Sequence, residues 1–129
     1  MPDLLLDTHA LIWCWSDDPA LTPSARESVS DPSNTVFVSA ASAWEIATKV
    51  RIGRLPEFES SLLRFDELVV ASAMRHLPIS YQHSLLAGGY KVDHRDPFDR
   101  MLAAQAEMES LVLVTKDPAF GQFPVQILW

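Results

Sequence analysis

Acidic residues follow two short apolar runs of this chain. Asp7 ends the run at residues 4–6, and Asp117 lies just beyond the run at residues 111–114. Runs of this kind are typical of buried strands. An open α/β sheet gathers the carboxyl ends of its strands at one edge, where ligands usually bind. We therefore expect these two carboxylates, although far apart in sequence, to lie close together.

Two further acids are predicted to point toward the same edge from helices. Glu45 lies in a helix that follows the apolar run at residues 36–38, and Asp99 lies at the third position of a helix opened by Asp96 and Pro97. Clustered carboxylates repel one another unless a cation lies between them. Oxygen ligands without Cys or His partners favour Mg²⁺ or Mn²⁺ over Zn²⁺. The predicted metal ligands, which are also the predicted catalytic residues, are Asp7, Glu45, Asp99 and Asp117.

Each of these acids also has a purely structural interpretation. Asp7 could cap the helix that follows it, and Glu45 could pair with Lys49 at helical i,i+4 spacing. Asp96 reads as the N-cap of its helix and supports Asp99, although a direct role as an additional ligand stays open. Asp117 could begin a turn with the proline after it.

The chemistry that such a site would support is hydrolysis of a phosphodiester. One or two divalent ions would bind the scissile phosphate and lower the pKa of a bound water, which then attacks in line. The hydroxyls of Thr8 and Thr115 could fix the carboxylates by hydrogen bonds. Five basic residues could position flanking phosphates, with a solvated surface charge as the equal alternative for each: Lys49, Arg51, Arg54, Arg95 and Arg100.

Composition describes an ordinary soluble globular domain. The chain has 129 residues, of which 48% are apolar and 21% charged, and its apolar stretches are too short to cross a bilayer. A single cysteine, Cys14, and an N-terminus without a basic region ahead of the apolar run predict a cytoplasmic protein. The net charge of −7 disfavours nucleic acid as a partner, unless bound metal ions invert the local charge.

Short β-type runs alternate with helical patterns along the whole chain. Strands are predicted at residues 3–6, 35–38, 111–114 and 125–128, and a short one at 77–79. Residues 58–74 read mainly as helix, with residues 68–70 as a possible strand. The alternation predicts an α/β fold in one domain, residues 1–129, whose mostly parallel central sheet is covered by helices on both faces.

Helix starts and stops are marked by capping residues. Thr22 before a proline, Ser39 and Asp96 are predicted N-caps. Gly53 fits the position just after the helix that carries Glu45, and Ser80 is predicted to begin a later helix.

Four segments together resemble the PIN-domain nucleases, and among them the VapC-type toxins of bacterial toxin–antitoxin pairs. They are residues 4–8, 38–46, 94–106 and 113–117, which read LLLDT, VSAASAWEI, HRDPFDRMLAAQA and LVTKD. The resemblance implies an endoribonuclease that uses Mg²⁺ or Mn²⁺ and cuts RNA. It also implies a homodimer and a cognate antitoxin protein whose tail lies over or near the acidic pocket. The acidic set of the family falls on Asp7, Glu45, Asp99 and, more variably, Asp117.

Two other functions compete with this reading. One is a binding module whose acids hold a structural ion or cap helices, without turnover. The other is a phospho-acceptor receiver domain, which would require an Asp after a strand near mid-chain, where residues 51–56 instead read as a helix end.

Overall fold

A computed structural model describes residues 2–129 of the chain. Within this range the structure has five strands: β1 (Leu4–Leu6), β2 (Val36–Ser39), β3 (Arg75–Leu77), β4 (Val112–Val114) and β5 (Ile127–Leu128). It has seven α-helices: α1 (Thr8–Trp15), α2 (Pro23–Ser30), α3 (Ala40–Arg51), α4 (Glu59–Leu62), α5 (Phe65–Ala71), α6 (Tyr81–Gly89) and α7 (Pro97–Met108). Two 3₁₀ turns span Pro56–Phe58 and Pro118–Gln122.

The five strands form one sheet in the order β3-β2-β1-β4-β5, and every neighbouring pair is parallel. The first strand is central, with Leu5 opposite Phe37 of β2 on one side and Leu113 of β4 on the other. The predicted mostly parallel α/β sheet is confirmed, and it is parallel throughout. The order also differs from the 2-1-3-4-5 order of receiver-like folds, which removes that alternative.

The sheet is buried on both faces. Leu4 and Leu6 belong to one core cluster, together with residues of α1, α2, α3 and α5. Leu5 points the other way into a second cluster, against Leu102 and Ala103 of α7. Successive side chains of a strand point to opposite faces, so a short, fully apolar β1 can hold both layers of helices.

The predicted helix boundaries at the capping residues are confirmed. The side-chain oxygens of Thr22, Ser39 and Asp96 accept hydrogen bonds from backbone N–H groups of the helices they precede. Ser80 caps α6. Gly53 follows α3 with φ +81°, a conformation that glycine adopts without strain.

The middle of the chain departs from the prediction. Residues 68–70, a possible strand from the sequence, lie within α5, and the strand predicted at residues 77–79 lies two residues earlier as β3. This strand is at the edge of the sheet, and Arg75 and His76 are exposed. Its sequence therefore lacks the apolar pattern by which the buried strands could be found.

A buried amide connects the helices that carry the predicted site residues. Gln105 of α7 is fully buried, and its Oε1 accepts a 2.5 Å hydrogen bond from Ser39 Oγ. The same hydroxyl accepts from the Ala41 backbone N–H at the start of α3. Gln105 Nε2 donates to the Pro78 carbonyl. This network fixes α3 and α7 relative to one another.

No helix among residues 2–129 is long and apolar enough to span a membrane.

Candidate active site

Asp7 lies where β1 ends and α1 begins, and it is only 5% exposed. Its Oδ1 accepts a 2.8 Å hydrogen bond from the Ala10 backbone N–H, so the capping interpretation from the sequence is correct. Its Oδ2 accepts a 2.6 Å hydrogen bond from Thr115 Oγ1. Asp7 therefore caps a helix and also presents a buried carboxylate at the carboxyl edge of the sheet.

Glu45 is held in the first half of α3 and is 6% exposed. Thr8 Oγ1 donates to its Oε1 over 2.6 Å, and Thr8 Oγ1 also lies 3.1 Å from Ser42 Oγ. The other carboxylate oxygen, Oε2, lies 2.7 Å from Lys49 Nζ. The i,i+4 pair that the sequence left as an alternative therefore exists, but around a buried carboxylate rather than on a solvated face.

Asp99 lies in the first turn of α7, with its side chain 22% exposed. His94 Nε2 lies 2.9 Å from Asp99 Oδ2. Asp96 caps the helix by accepting hydrogen bonds from the backbone N–H groups of Phe98 and Asp99. In this arrangement Asp96 supports the helix start, as predicted, and Asp99 is the carboxylate closer to the interior.

Asp117 lies at the mouth of the site. It is exposed and shares a cavity of about 350 Å³ with Asp7. Its Oδ1 accepts from the Ala119 N–H, which begins the predicted turn, and its backbone N–H donates to Thr115 Oγ1. Thr115 therefore joins the two acids that follow β1 and β4.

Two of these carboxylates, those of Asp7 and Asp99, have raised pKa values, chiefly because they are buried. Burial raises the pKa of Asp7, and the negative charge of Glu45 adds to the rise, while hydrogen bonds from Thr115 and Ala10 oppose it. Burial also raises the pKa of Asp99 to about 6, with further upward contributions from Asp96 and Glu45, opposed by the contact with His94. Desolvation is therefore the main cause of both raised pKa values, and repulsion between acids adds to it.

The basic residues that we predicted to position phosphates lie in two different grooves and at the end of α3. Lys49 and Arg54 line one groove of about 460 Å³ beside the acids. Arg95 is exposed in a second groove, next to Phe98, and Arg51 is exposed at the end of α3.

Arg100 has another function in the structure. Its guanidinium donates to five backbone carbonyl groups, those of Ala87, Gly88, Tyr90, Val92 and His94. These contacts hold the loop between α6 and α7. Because the donors of this guanidinium are directed at the loop, they are not free for phosphates. We therefore no longer expect Arg100 to contact phosphates.

The donor chemistry fits a hard divalent cation, because carboxylate oxygens are the ligands that Mg²⁺ and Mn²⁺ prefer. Mutual repulsion, which contributes to the raised pKa values of Asp7 and Asp99, is what such a cation would relieve. Within residues 2–129, no three His, Cys, Asp or Glu side chains are yet grouped tightly enough to hold a metal ion. The protein's own donors instead satisfy the carboxylates, with Lys49 on Glu45 and His94 beside Asp99.

Two contributors to the site, His94 and Ser42, were not among the predicted site residues, although the sequence places His94 close to Asp96. His94 precedes Asp99 by only five residues, but its partner could not be known without the turn that opens α7. Ser42 is fully buried beside Thr8. Its position three residues before Glu45 is the signal that places it on the same face of α3.

Comparison of the fold with solved structures gives several similar chains. One belongs to the crystal structure of VapBC2 from Rickettsia felis bound to a DNA fragment from their promoter (TM-score 0.71, 19% identity, 98% of each chain covered). Another belongs to VapBC-1 from nontypeable Haemophilus influenzae (TM-score 0.65, 19% identity, 97% of this chain and 96% of that chain). A third belongs to FitAcB from Neisseria gonorrhoeae (TM-score 0.61, 20% identity, 98% of this chain and 96% of that chain).

A search of curated proteins found no match to this chain. The family model of the PIN domain, in contrast, matches residues 4–125, a range that includes β1 through the 3₁₀ turn after β4 and all four predicted acids. The resemblance inferred from the four sequence segments is therefore confirmed, and the chain belongs to the PIN-domain family.

Proposed function

We propose that this protein is a metal-dependent endoribonuclease and the toxin of a toxin–antitoxin pair. The observation that carries the proposal is the placement of two buried carboxylates, Asp7 and Glu45, and the half-buried Asp99 near the carboxyl edge of the parallel sheet, where the charge of Glu45 contributes to the raised pKa of each of the other two. Burial is the main cause of the raised pKa values of Asp7 and Asp99, so a bound cation would meet carboxylates that are poorly solvated. Membership of the PIN-domain family supports the same assignment.

Asp7, Glu45 and Asp99 would hold Mg²⁺ or Mn²⁺, with Asp117 at the open side of the site. A divalent cation bound there would supply activation of a water molecule and neutralisation of charge on the scissile phosphate. Thr8 and Thr115 keep one oxygen each of Glu45 and Asp7 in place by hydrogen bonds. Such bonds orient carboxylates before a ligand arrives, which lowers the cost of ordering them.

The residues around the acids are suited to bind a polyanion beside them. Lys49 and Arg54 line the groove next to Glu45, and Lys116 lines the cavity that holds Asp7 and Asp117. Phosphates on either side of the scissile bond would contact these cations, which fix register without reading sequence. The charge of RNA is thereby tolerated locally in a protein with a net charge of −7.

A cognate antitoxin and a homodimer belong to the same proposal. The similar solved chains come from VapBC and FitAcB structures, which supports a protein partner for this chain. Exposed apolar side chains leave room for such contacts: Trp44 of α3 is 60% exposed, and Tyr81 and Leu85 of α6 are 72% and 71% exposed.

The test is cleavage of a structured RNA pool by the purified protein with Mg²⁺, Mn²⁺ or EDTA. The Asp7→Asn variant is prepared identically, and Asp31→Asn, which changes an exposed acid, serves as the matched control. Wild type and the control should cut only with metal, and Asp7→Asn should not cut. Metal-dependent cleavage that persists in Asp7→Asn would contradict the proposal.

The binding-module alternative makes a different prediction for the same samples. A module would bind Mn²⁺, detectable by calorimetry, yet leave every RNA in the pool intact. The contacts of Lys49 with Glu45 and of His94 with Asp99 support this alternative, because these acids already have partners within the protein.

A further inference from the structure

Two aromatic side chains line both the cavity that contains Asp7 and the groove next to it. His9 and Trp13, four residues apart on α1, both line the groove of about 460 Å³ and the cavity of about 350 Å³ that contains Asp7 and Asp117. Their ring centroids are 5.5 Å apart with an interplanar angle of 36°. We call this pair the aromatic shelf.

Trp13 of the aromatic shelf is supported by neighbouring side chains, whereas His9 is exposed to solvent. Trp129 meets the Trp13 ring edge-on at 5.7 Å, and Trp13 packs partly against the core cluster. His9, in contrast, is exposed. The Lys116 ammonium lies 5.9 Å from the centroid of the Trp13 ring. An aromatic surface with a nearby cation, in the same cavity as Asp7, suits a flat ligand attached to an anionic backbone.

The charges of the larger groove argue for stacking as a main source of affinity. Lys49 and Arg54 line it, but so do Asp18 and Glu57. Cations and acids in this groove therefore balance, so contacts of phosphates with the two cations supply only part of the affinity. Base–aromatic stacking does not depend on net charge, and every nucleobase has a π-face.

We propose that the aromatic shelf of His9 and Trp13 is a nucleobase-stacking subsite that positions single-stranded RNA across the acidic edge. This inference rests on the proposed ribonuclease function and names its substrate class. A base next to the scissile phosphate would stack on the shelf, while Lys116 and Lys49 contact the phosphates on either side. A paired base within a duplex does not offer its face, so the subsite selects unpaired segments.

The test measures binding of fluorescein-labelled oligouridylate and oligoadenylate by anisotropy, in EDTA and in Ca²⁺. Trp13→Leu should weaken binding about five- to 100-fold, the range for loss of one stacked base. Trp13→Phe should restore most of it, because the π-face returns. Leu63→Ala, which removes an exposed apolar side chain that lines neither groove, should bind like wild type.

An oligonucleotide with an abasic position at each site in turn identifies the stacked base. For wild type, an abasic site at one position should weaken binding about as much as Trp13→Leu weakens binding of the intact oligonucleotide. The affinity of Trp13→Leu should not fall further when the same base is missing. His9→Ala is the second variant in case Trp13→Leu does not fold, and it should weaken binding in the same direction. Unchanged affinity in both Trp13→Leu and His9→Ala, or no binding by wild type in either condition, would overturn the subsite.

The outcomes separate this subsite from the function on which it rests. Metal-dependent cleavage by wild type with unchanged affinity in the shelf variants would overturn the subsite and leave the ribonuclease standing. Base-dependent binding at Trp13 without metal-dependent cleavage would support the subsite and contradict the ribonuclease.

Discussion

Thr115 Oγ1 donates a 2.6 Å hydrogen bond to Asp7 Oδ2 across 108 residues of sequence. Both residues are buried, and they follow the neighbouring parallel strands β4 and β1. The same hydroxyl accepts from the backbone N–H of Asp117. One side chain thereby sets the position of one predicted ligand and of the loop that carries another.

Removal of this hydroxyl should impair cleavage more than stability. Thr115→Val takes away the hydrogen bond that opposes the rise in the Asp7 pKa, so we expect cleavage to fall about 10- to 100-fold. The free energy of unfolding should drop by only about 1–2 kcal/mol. Thr115→Ser keeps the hydroxyl and should retain most activity. Equal activity of the Val and Ser variants would show that the hydrogen bond has no role.

Asp99 should make the metal-free protein more stable at acid pH than at neutral pH. Burial raises its pKa to about 6 in the folded state, against about 4 in the unfolded chain. Because the folded state binds this proton more tightly, the stabilising contribution is full below about pH 4 and is lost as the pH rises through about 6. The Asp99→Asn substitution should therefore raise the free energy of unfolding by about 2 kcal/mol at pH 7.5 and by little at pH 4.5.

Urea unfolding in EDTA at the two pH values measures this difference. Asp31→Asn is the control of opposite sign, because hydrogen bonds from Ser33 lower the pKa of the Asp31 carboxyl. The Asp31→Asn substitution should not raise the free energy of unfolding at pH 7.5. A gain for Asp99→Asn that is the same at both pH values would refute the linkage.

Lys49 should compete with a metal ion for Glu45. Its ammonium lies 2.7 Å from Glu45 Oε2, on the carboxylate that we predict as a ligand. Lys49→Met should lower the Mn²⁺ concentration for half-maximal thermal stabilisation roughly fivefold, the effect of removing a partly screened ion pair of about 1 kcal/mol. Lys91→Met, which changes an exposed lysine, should match wild type. Weaker Mn²⁺ binding in Lys49→Met would mean that the lysine holds Glu45 in place for the metal.

Arg100 should stabilise the loop between α6 and α7 through its shape as well as its charge. Lysine keeps the charge but cannot direct donors at five carbonyl groups. Arg100→Lys should lower the free energy of unfolding by about 2–3 kcal/mol and speed hydrogen exchange in residues 88–94. Arg95→Lys, at an exposed arginine nearby, should do neither. Unaltered exchange in Arg100→Lys would rule out the clamp.

Local chemistry explains which parts of the fold were predictable. Caps such as Ser39 and Asp96 act within three residues, and the buried strands β1, β2 and β4 are apolar runs, so the sequence reports both directly. Edge strand β3 contains Arg75 and His76, whose exposure removes the apolar signal. Its location is determined by pairing with β2, which no local pattern contains.

The candidate site follows the same division. The acids and the two threonine hydroxyls were predictable because they lie at strand ends and helix starts. The partners of Arg100 were not, because a guanidinium near an acidic cluster reads as a phosphate ligand until the path of residues 87–94 is known. Long polar side chains can reach many alternatives, and only the tertiary structure selects among them.

The central position of β1 has a consequence for how the protein is made. Strand β1 is synthesised before both of its neighbours, and one of them, β4, follows only at Val112–Val114. Asp7 Oδ1 can accept from the nearby Ala10 N–H early, but the donor to its Oδ2 is Thr115, so a nascent chain that ends before residue 115 carries Asp7 without the assembled edge. Under the proposed function, a nascent chain that still lacks β4 and Thr115 would be unable to cut RNA, including its own message.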